Sequence, residues 1–307
     1  MSAAASWREA ARRFGHDRWA TLALLFLVGI HLAAVLAPWL VERTLHQSAY
    51  RQRMMDVVQI DGRPREVVNE VGIPLGPNPR FPLGADLAGR DVLSRILIGA
   101  RVSLLVATFG TLLGLAIGVA AGLLAGFYRG PVDVAISRFL DAVMSIPVLL
   151  LAIALAAVLP AGGLWNVILV LGLVNWTTVA RVVRAETLSL RSREFIEAAR
   201  ALGASTTRIL ARHVLPNLAG TIVVFATLSM AGNILLESAL SFLGVGIQPP
   251  VPSWGNMIQE GVTYYGSAWW IAGFPGLAIL ITVVSYNLVG DGLRTVFDPA
   301  VAPEGGG

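Results

Sequence analysis

Few residues of this chain have the types and spacing that catalysis or metal binding requires. The sequence contains no lysine and no cysteine, and its four histidines are scattered: His16, His31, His46 and His213. Without lysine there is neither a G-x-x-x-x-G-K-[ST] phosphate loop nor a Schiff base, and without cysteine there is no thiol nucleophile. No G-x-S-x-G turn supports a serine hydrolase. We therefore predict a chain that is not an enzyme and binds no metal or cofactor itself.

The remaining polar side chains of chemical interest lie inside long apolar stretches. They are Asp141, Asn175, Asn233 and Glu237. Ionisable residues inside a membrane are costly and commonly mark a functional pathway. Asp141, Asn233 and Glu237 are therefore candidates to line a translocation path. For Glu237 an equal alternative is a hydrogen bond between helices with Asn233, four residues earlier in the chain.

Membrane-spanning helices must position these side chains. The 307 residues are 55% hydrophobic and 14% charged, and the mean hydropathy is +0.70, too apolar for a water-soluble domain. A helix needs about 20 apolar residues to cross a bilayer core. Six stretches qualify, at residues 20–41, 103–127, 139–159, 164–183, 218–245 and 269–289. Since lipid cannot satisfy free backbone groups, each must be helical. We predict an all-α membrane protein with six transmembrane helices.

The arginines predict the orientation of these spans. All 23 basic residues are arginine: four lie in residues 1–19, two between the second and third spans, and seven between Arg181 and Arg212. If both termini are cytoplasmic, the two short outer loops carry none, as the positive-inside rule requires. Residues 42–102 contain nine, but a segment of that length translocates largely regardless of charge. The basic pI therefore reflects orientation and does not indicate nucleic-acid binding.

This topology divides the chain into five parts. We predict a cytoplasmic tail at residues 1–19 and a first span at 20–41, which acts as an uncleaved signal anchor. An extracytoplasmic loop with an interfacial amphipathic helix follows at 42–102. Residues 103–290 form a five-helix core, and residues 291–307 form a cytoplasmic tail.

A polar, arginine-rich segment at residues 191–216 separates the fourth and fifth spans. Its apolar residues recur at helical spacing and predict two short helices. Ser192 would cap the first helix, Gly203 would end it in a left-handed turn, and Ser205 would cap the second, which runs to Pro216. A membrane protein that keeps such a helix pair between two spans usually needs it to contact a partner outside the bilayer.

Glycine recurs at every fourth position of the second predicted span. The residues are Gly110, Gly114, Gly118, Gly122 and Gly126. Small residues at this spacing let helix backbones approach closely in lipid. Because four residues exceed one 3.6-residue turn, the row winds partway around the helix and can serve more than one neighbour. We predict a helix-packing role, either within this chain or against a second subunit.

Several motifs, in order along the chain, resemble one family of transport proteins. The spacing of E-A-A at 197–199, Gly203 and L-P at 215–216 resembles the EAA loop of ABC-importer permeases. The stretches G-R-D-V-L-S-R at 89–95, E-S-A-L-S-F-L-G at 237–244 and Q-P-P-V-P-S-W-G at 248–255 are similar to the C-type, or second, permease of dipeptide and oligopeptide importers. His213 stands where the general pattern has an aliphatic residue, and R-H-V-L-P-N at 212–217 is similar to the peptide branch.

The resemblance implies a type I importer permease core with a cytoplasmic coupling helix. The residues it assigns to ATPase coupling are Glu197, Ala198, Ala199, Arg200, Gly203, Leu215 and Pro216. The implied partners are a second, B-type permease, two cytoplasmic ATPases that bind ATP and magnesium, and an extracytoplasmic substrate-binding protein. The implied location is the inner membrane of a bacterium, in contact with lipid, and the implied cargo is a di- or oligopeptide.

Two alternatives to peptide import stay open at this point. The same architecture also serves nickel chelates, glutathione or opines in this branch of the family. A different class would be a secondary carrier driven by ions through Asp141, Glu237 or Asp291. That class predicts inverted repeats with paired broken helices, and the single EAA loop argues against it.

Overall fold

The computed structural model describes residue 12 and residues 14–44, 48–159 and 163–297. Its helices are α1 Arg18–Trp39, α2 Val92–Tyr128, α3 Gly130–Met144, α4 Val148–Val158, α5 Leu164–Arg191, α6 Glu194–Ala201, α7 Thr206–Ile209, α8 Leu215–Phe242, α9 Trp254–Val262, α10 Tyr265–Ala268 and α11 Trp270–Phe297. Two π-helical segments, Leu40–Thr44 and Leu210–Val214, extend α1 and join α7 to α8. In the described residues, five helices are long and apolar enough to cross a membrane, or six if α3 and α4 form one bent span.

The third predicted span is not a straight helix. Instead of one helix at 139–159, α3 and α4 meet at a break of 93°. Pro147 is the N-cap of α4. Proline lacks a backbone N–H and disfavours helical geometry in the preceding residue, so the ladder of α3 ends before it. Pro147 within the apolar run predicts a kink here, and the structure gives its angle.

The second span is longer than its apolar run. α2 contains 37 residues and begins at Val92, with Asp91 as its N-cap. The residues predicted to form an interfacial helix before this span are helical from Val92 onward, and they form the first turns of α2. Val92 and Arg95 are buried, and Gly99 lies against Ser253 and Trp254. These first turns of α2 are therefore covered by other parts of the chain and do not need to be covered by lipid.

A small hairpin shows that the prediction of an all-α chain was incomplete. Strand β1, Val57–Ile60, pairs antiparallel with β2, Arg63–Glu66, with Val57 opposite Glu66. Asp61 and Gly62 connect the strands, both with positive φ, at 52° and 76°. Asp-Gly is the usual sequence of a two-residue hairpin turn with two positive φ angles. The dipeptide was therefore a readable signal within the outer loop.

The remaining boundaries differ from the predictions by a turn or two. Asp17 caps α1 by accepting hydrogen bonds from the N–H groups of Trp19 and Ala20. The second helix of the polar segment does not stop at Pro216, because the π-helical segment continues into α8, where proline is tolerated in the first turn. α11 extends to Phe297, beyond the predicted end at 289. Residues 298–307 of the predicted tail lie outside the described residues.

Candidate functional site

One fully buried side chain anchors helix α6 in the bundle. Ile196 is its single buried residue and packs in a cluster with Ile209, Val214 and Phe127. Glu197, Ala198 and Arg200 are exposed, and Ala199 is half-buried. The small alanines leave the outer face of α6 open to close approach by another protein. Three of the four residues at 197–200 are therefore exposed.

The end of α6 has the geometry that Gly203 predicts. Gly203 has φ +81°, and its N–H donates to the carbonyl of Arg200 at 2.9 Å. The N–H of Ala204 donates to the carbonyl of Ala199 at 3.0 Å, which completes a Schellman motif. This turn leaves the side chain of Leu202 88% exposed. The tip of the loop therefore presents a large apolar side chain to its surroundings.

Caps on the two short helices agree only partly with the sequence predictions. Ser205 caps α7 by accepting a hydrogen bond from the N–H of Arg208, as predicted. The N-cap of α6 is Arg193, with no side-chain hydrogen bond, so the prediction for Ser192 is wrong. The hydroxyl of Ser192 instead donates to the carbonyl of Ser189. α6 has no capping side chain, but Glu194 and Glu197 lie in its first turn. Their negative charges stabilise the positive N-terminal end of the helix dipole.

Two arginines hold the polar segment against the end of α2. Arg191 donates to the carbonyl of Phe127, and its guanidinium carbon lies 5.6 Å from the centre of the Phe127 ring. Arg200 lies 5.1 Å from the same ring. A cation over an aromatic face contributes about 0.5–1 kcal/mol at an exposed site. α6 is thereby connected to both α5 and α2.

Glu197 has neither of the two intrahelical partners that its sequence position allowed. Within the described part of the chain its carboxylate forms no salt bridge with Arg193 or Arg200 and no side-chain hydrogen bond. Leu215 and Pro216, the last two predicted coupling residues, are exposed in the first turn of α8. They stand apart from α6 in the sequence, and the ring pair of Phe195 and His213, 6.5 Å apart, links the two regions.

Asn233 lies in a buried network between three helices. Its side-chain nitrogen donates to Thr111 of α2 at 2.8 Å, and its oxygen accepts from Asn175 of α5. Both amide atoms are used within the chain. A role for Asn233 in a translocation path stays a prediction, and its observed contacts are those of helix packing.

Glu237 is fully buried and does not pair with Asn233. Its carboxylate accepts hydrogen bonds from Ser103 of α2 at 2.9 Å and Ser241 of α8 at 2.8 Å. The Ser103 hydroxyl accepts from the N–H of Trp254, and the Ser241 hydroxyl accepts from the N–H of Ile247. Glu237 thus joins α2 and α8 to the segment that leads into α9. Its proposed place on a path stays a prediction.

Asp141 is the most accessible of the three path candidates. It forms a salt bridge of 2.9 Å with Arg181, and both side chains are more than half exposed. An exposed pair of this kind contributes little to stability, about 0–1 kcal/mol. Its position on a surface of α3 and α5, away from the core, leaves a role on a path as a prediction.

The five glycines that recur at every fourth position of α2 all lie against α5. A Cβ on Gly118 would stand 2.6 Å from the carbonyl oxygen of Trp176, and one on Gly122 would stand 2.7 Å from that of Ala180. Gly110 meets Leu171, Gly114 meets Gly172, and Gly126 meets Thr187. The row therefore packs within this chain and against a single helix, whereas its winding had suggested more than one neighbour.

A buried ionic cluster was missed in the sequence. Arg95 lies 2.6 Å from Asp86 and 3.0 Å from Glu260, and Arg90 lies 2.6 Å and 2.8 Å from the same two carboxylates. Arg95 is only 1% exposed. The cluster connects the G-R-D-V-L-S-R segment to α9. The charged residues of this motif therefore have a structural role. The only signal in the sequence is that the segment contains both arginine and aspartate. The partner Glu260 could not be identified, because it is distant in the sequence.

Comparison with known families identifies the assembly to which these features belong. The family described as the binding-protein-dependent transport system inner membrane component matches residues 118–303, more than half of the chain and the whole segment around α6. This chain belongs to that family. The N-terminal transmembrane domain of oligopeptide transport permease C also matches, at residues 6–55. The chain is thus a non-catalytic, multi-pass permease subunit of an ABC importer, similar to C-type permeases.

Relatives of this permease match along nearly its whole length. The glutathione transport system permease protein GsiD of Escherichia coli O6:K15:H31 is 39% identical over 295 residues, which cover 96% of this chain and 91% of that protein. The GsiD protein of Shigella dysenteriae serotype 1 has the same identity and coverage. These permeases are similar to this chain from the first span to the last.

Solved structures agree on the fold. Two crystal forms of the inward-facing MetNI methionine ABC transporter match the permease, with TM-scores of 0.56 and 0.55. Sequence identity is 21% and 22%, over 66% and 67% of this chain and 97% and 96% of the MetNI chains. Identity this low supports the fold alone, which is the type I permease fold that the sequence predicted.

Proposed function

We propose that this permease is one half of the translocation pathway of an importer for glutathione or small peptides. Similarity to GsiD proteins over 96% of the chain carries the proposal for the cargo and favours glutathione over longer peptides. The match of residues 6–55 to oligopeptide permease C keeps small peptides in the same proposal. Glutathione is itself a tripeptide, so the two cargoes share charged termini and an extended backbone.

The surface of α6 supports a coupling role at the cytoplasmic face. Glu197, Ala198 and Arg200 are exposed, and Leu202 extends from the turn at Gly203. We assign this surface, together with Leu215 and Pro216, to contact with an ATPase subunit that binds ATP and magnesium. The arginines around residues 181–212 support cytoplasmic placement of α6 and of both termini.

Movement of α6 would reach the spans through its anchors. Ile196 connects α6 to the cluster that contains Val179 of α5 and Leu218 of α8. Arg191 and Arg200 connect it to Phe127 of α2. A push on α6 would therefore move three helices together, as rigid-body alternating access requires. A second permease would complete the pathway, and a binding protein would deliver the cargo at the opposite side.

Import by cells that lack this gene tests the proposal. Cells of the native host are compared with and without the gene, and a tagged copy restores it. We expect the tagged chain to purify with a second permease and ATPase subunits, and uptake of labelled glutathione or a labelled dipeptide to depend on it. Labelled nickel chelates and opines serve as competing cargoes. If only nickel chelates or opines are taken up, the proposed cargo is wrong. If the chain purifies alone, the proposal that it belongs to an importer complex is wrong.

A further inference from the structure

A cavity lies between the ends of α5, α8 and α11 that are nearest to α6. Its volume is about 430 Å³, within the range of small-molecule sites. Glu186 of α5, Thr221 of α8 and Arg294 of α11 line it with polar groups, and Val224, Phe225 and Leu228 line it with apolar surface. None of the motifs that indicated the coupling surface includes these residues.

The two charged residues of this cavity are not paired with each other. Glu186 accepts a hydrogen bond of 2.8 Å from the hydroxyl of Thr221, which fixes its carboxylate at the wall. Arg294 is exposed and, among the described residues, forms neither a salt bridge nor a side-chain hydrogen bond. An anion and a cation thus face one space from different helices, with aromatic and aliphatic surface between them.

This arrangement is complementary to a small zwitterion. A guanidinium binds a carboxylate through parallel hydrogen bonds, and a carboxylate binds an ammonium group, both with charge assistance. Apolar surface between them suits an aliphatic or thiol side chain. We propose that this cavity binds an amino acid or short peptide with free termini, with its carboxylate on Arg294 and its ammonium on Glu186. The proposal deepens the proposed function, on which it rests, since imported glutathione or peptide would present these groups.

The cavity lies close to the segment that we assign to ATPase coupling, so a bound ligand could affect coupling. Glu186 lies five residues before Arg191, at the end of α5, and Thr221 lies six residues after Leu215, at the start of α8. These two helices flank the segment that carries α6. An occupant that bridges α5 and α11 would hold α5 in place and oppose its movement. Cargo that accumulates on the α6 side would therefore slow further import.

Binding to the purified, fully assembled transporter tests this site. The ligands are Ala-Ala, reduced glutathione and the doubly blocked acetyl-Ala-Ala-amide. Calorimetry measures the affinity of each ligand for transporters that contain the wild-type permease, Arg294→Gln or Glu186→Gln. Loss of one charge-assisted contact of about 1.5–3 kcal/mol corresponds to a decrease in affinity of about tenfold or more. We expect that decrease in both variants, no binding of the blocked dipeptide, and unchanged binding in Arg212→Gln, an exposed arginine outside the cavity.

Each outcome bears on the site separately from the proposed function. Equal binding by wild type and both cavity variants, or equal binding of the blocked dipeptide, would overturn the site even if import is normal. Absence of glutathione and peptide uptake in intact cells would overturn the proposed function instead. If Glu186→Gln lowers the unfolding temperature, the double exchange Glu186→Arg with Arg294→Glu decides. A zwitterion can bind that site in reverse, so recovery of binding supports the proposal and continued loss contradicts it.

Discussion

Glu237 shows how one buried carboxylate can join several helices. It accepts hydrogen bonds from Ser103 and Ser241, whose hydroxyls accept from the backbone around α9. Glu237→Gln keeps the shape but presents an amide N–H₂ to one of these hydroxyls. Because an unsatisfied buried polar group costs about 1–3 kcal/mol, we expect the free energy of unfolding in detergent to fall by that amount.

The matched control for Glu237 is Glu197→Gln on α6. Glu197 is exposed and has no side-chain partner in the described residues, so its replacement should leave the unfolding transition unchanged. If Glu237→Gln leaves stability unchanged and lowers import, Glu237 acts on the translocation path and the role at a helix junction is wrong.

Asp91 makes stability depend on pH. Burial raises the pKa of its carboxyl above the ordinary value of 3.8, against the opposing effect of two hydrogen bonds from Ser94. Its other oxygen is buried without a partner. A carboxyl with a higher pKa in the folded chain binds protons more tightly there, so its stabilising contribution is present at pH below 3.8 and is lost as pH rises through the raised pKa.

Asp91→Asn should flatten this dependence. Asparagine is an equally good N-cap and can still accept from the N–H of Ser94, but it does not titrate. We expect the unfolding temperature of wild type to fall more steeply than that of the variant as pH rises through this window. Asp61→Asn in the hairpin turn is the control and should follow wild type. Parallel curves for wild type and Asp91→Asn would contradict the effect of burial.

Among the elements, the contact between α2 and α5 depends on glycine. A methyl group at Gly122 would meet the carbonyl oxygen of Ala180 and the Cβ of Val183, each at 2.7 Å. These are backbone and branched atoms that cannot turn away, so the two helices must separate. We expect Gly122→Ala to lower the free energy of unfolding by about 1–3 kcal/mol, as overpacking usually does.

Gly29 of α1 provides the comparison for Gly122. Nothing lies within 4 Å of a Cβ added there. Alanine is the better helix former by about 1 kcal/mol, so Gly29→Ala should be neutral or stabilising. Thermal unfolding of both variants in the same detergent measures the difference. Equal effects at the two positions would show that the packing of α2 on α5 is not tight.

The length of the apolar stretches predicted those helices whose extent depends only on crossing the lipid bilayer. Each long span was located because a bilayer core requires about 20 apolar residues. The same argument missed the first turns of α2, where Arg95 is buried by the ionic cluster instead of by lipid. Apolar length also gives no direction: Pro147 in the third span predicts a kink, but the angle of 93° between α3 and α4 comes only from the structure.

The candidate site was predictable where its geometry is local. Gly203 ends α6 through hydrogen bonds within five residues, and its spacing from the E-A-A motif could be read directly. Contacts across the fold could not. Glu260 is 165 residues from Arg95, and the partners of Glu237 and the cavity between Glu186 and Arg294 exist only after the helices have packed.

In the whole molecule, α6 is buried against other helices on one side and exposed on the other. Ile196 is buried in a cluster with α2, α5 and α8, whereas Leu202 is 88% exposed beyond the Schellman turn. A large apolar side chain this exposed is available for contact with a partner. The tip of the loop is therefore the place where a polar substitution should disrupt docking without disturbing the fold.

Leu202→Asp tests this separation of docking from folding. The side chain makes no core contact, so we expect an unfolding temperature close to that of wild type but loss of the ATPase subunits during purification, and import reduced at least in proportion. Val71→Asp replaces another apolar side chain, 81% exposed, in the loop after the hairpin and far from α6 in sequence. That variant should keep its ATPases. If Leu202→Asp also retains them and imports normally, the tip of α6 is not a docking contact, and the coupling surface would have to lie on the helix face formed by Glu197, Ala198 and Arg200.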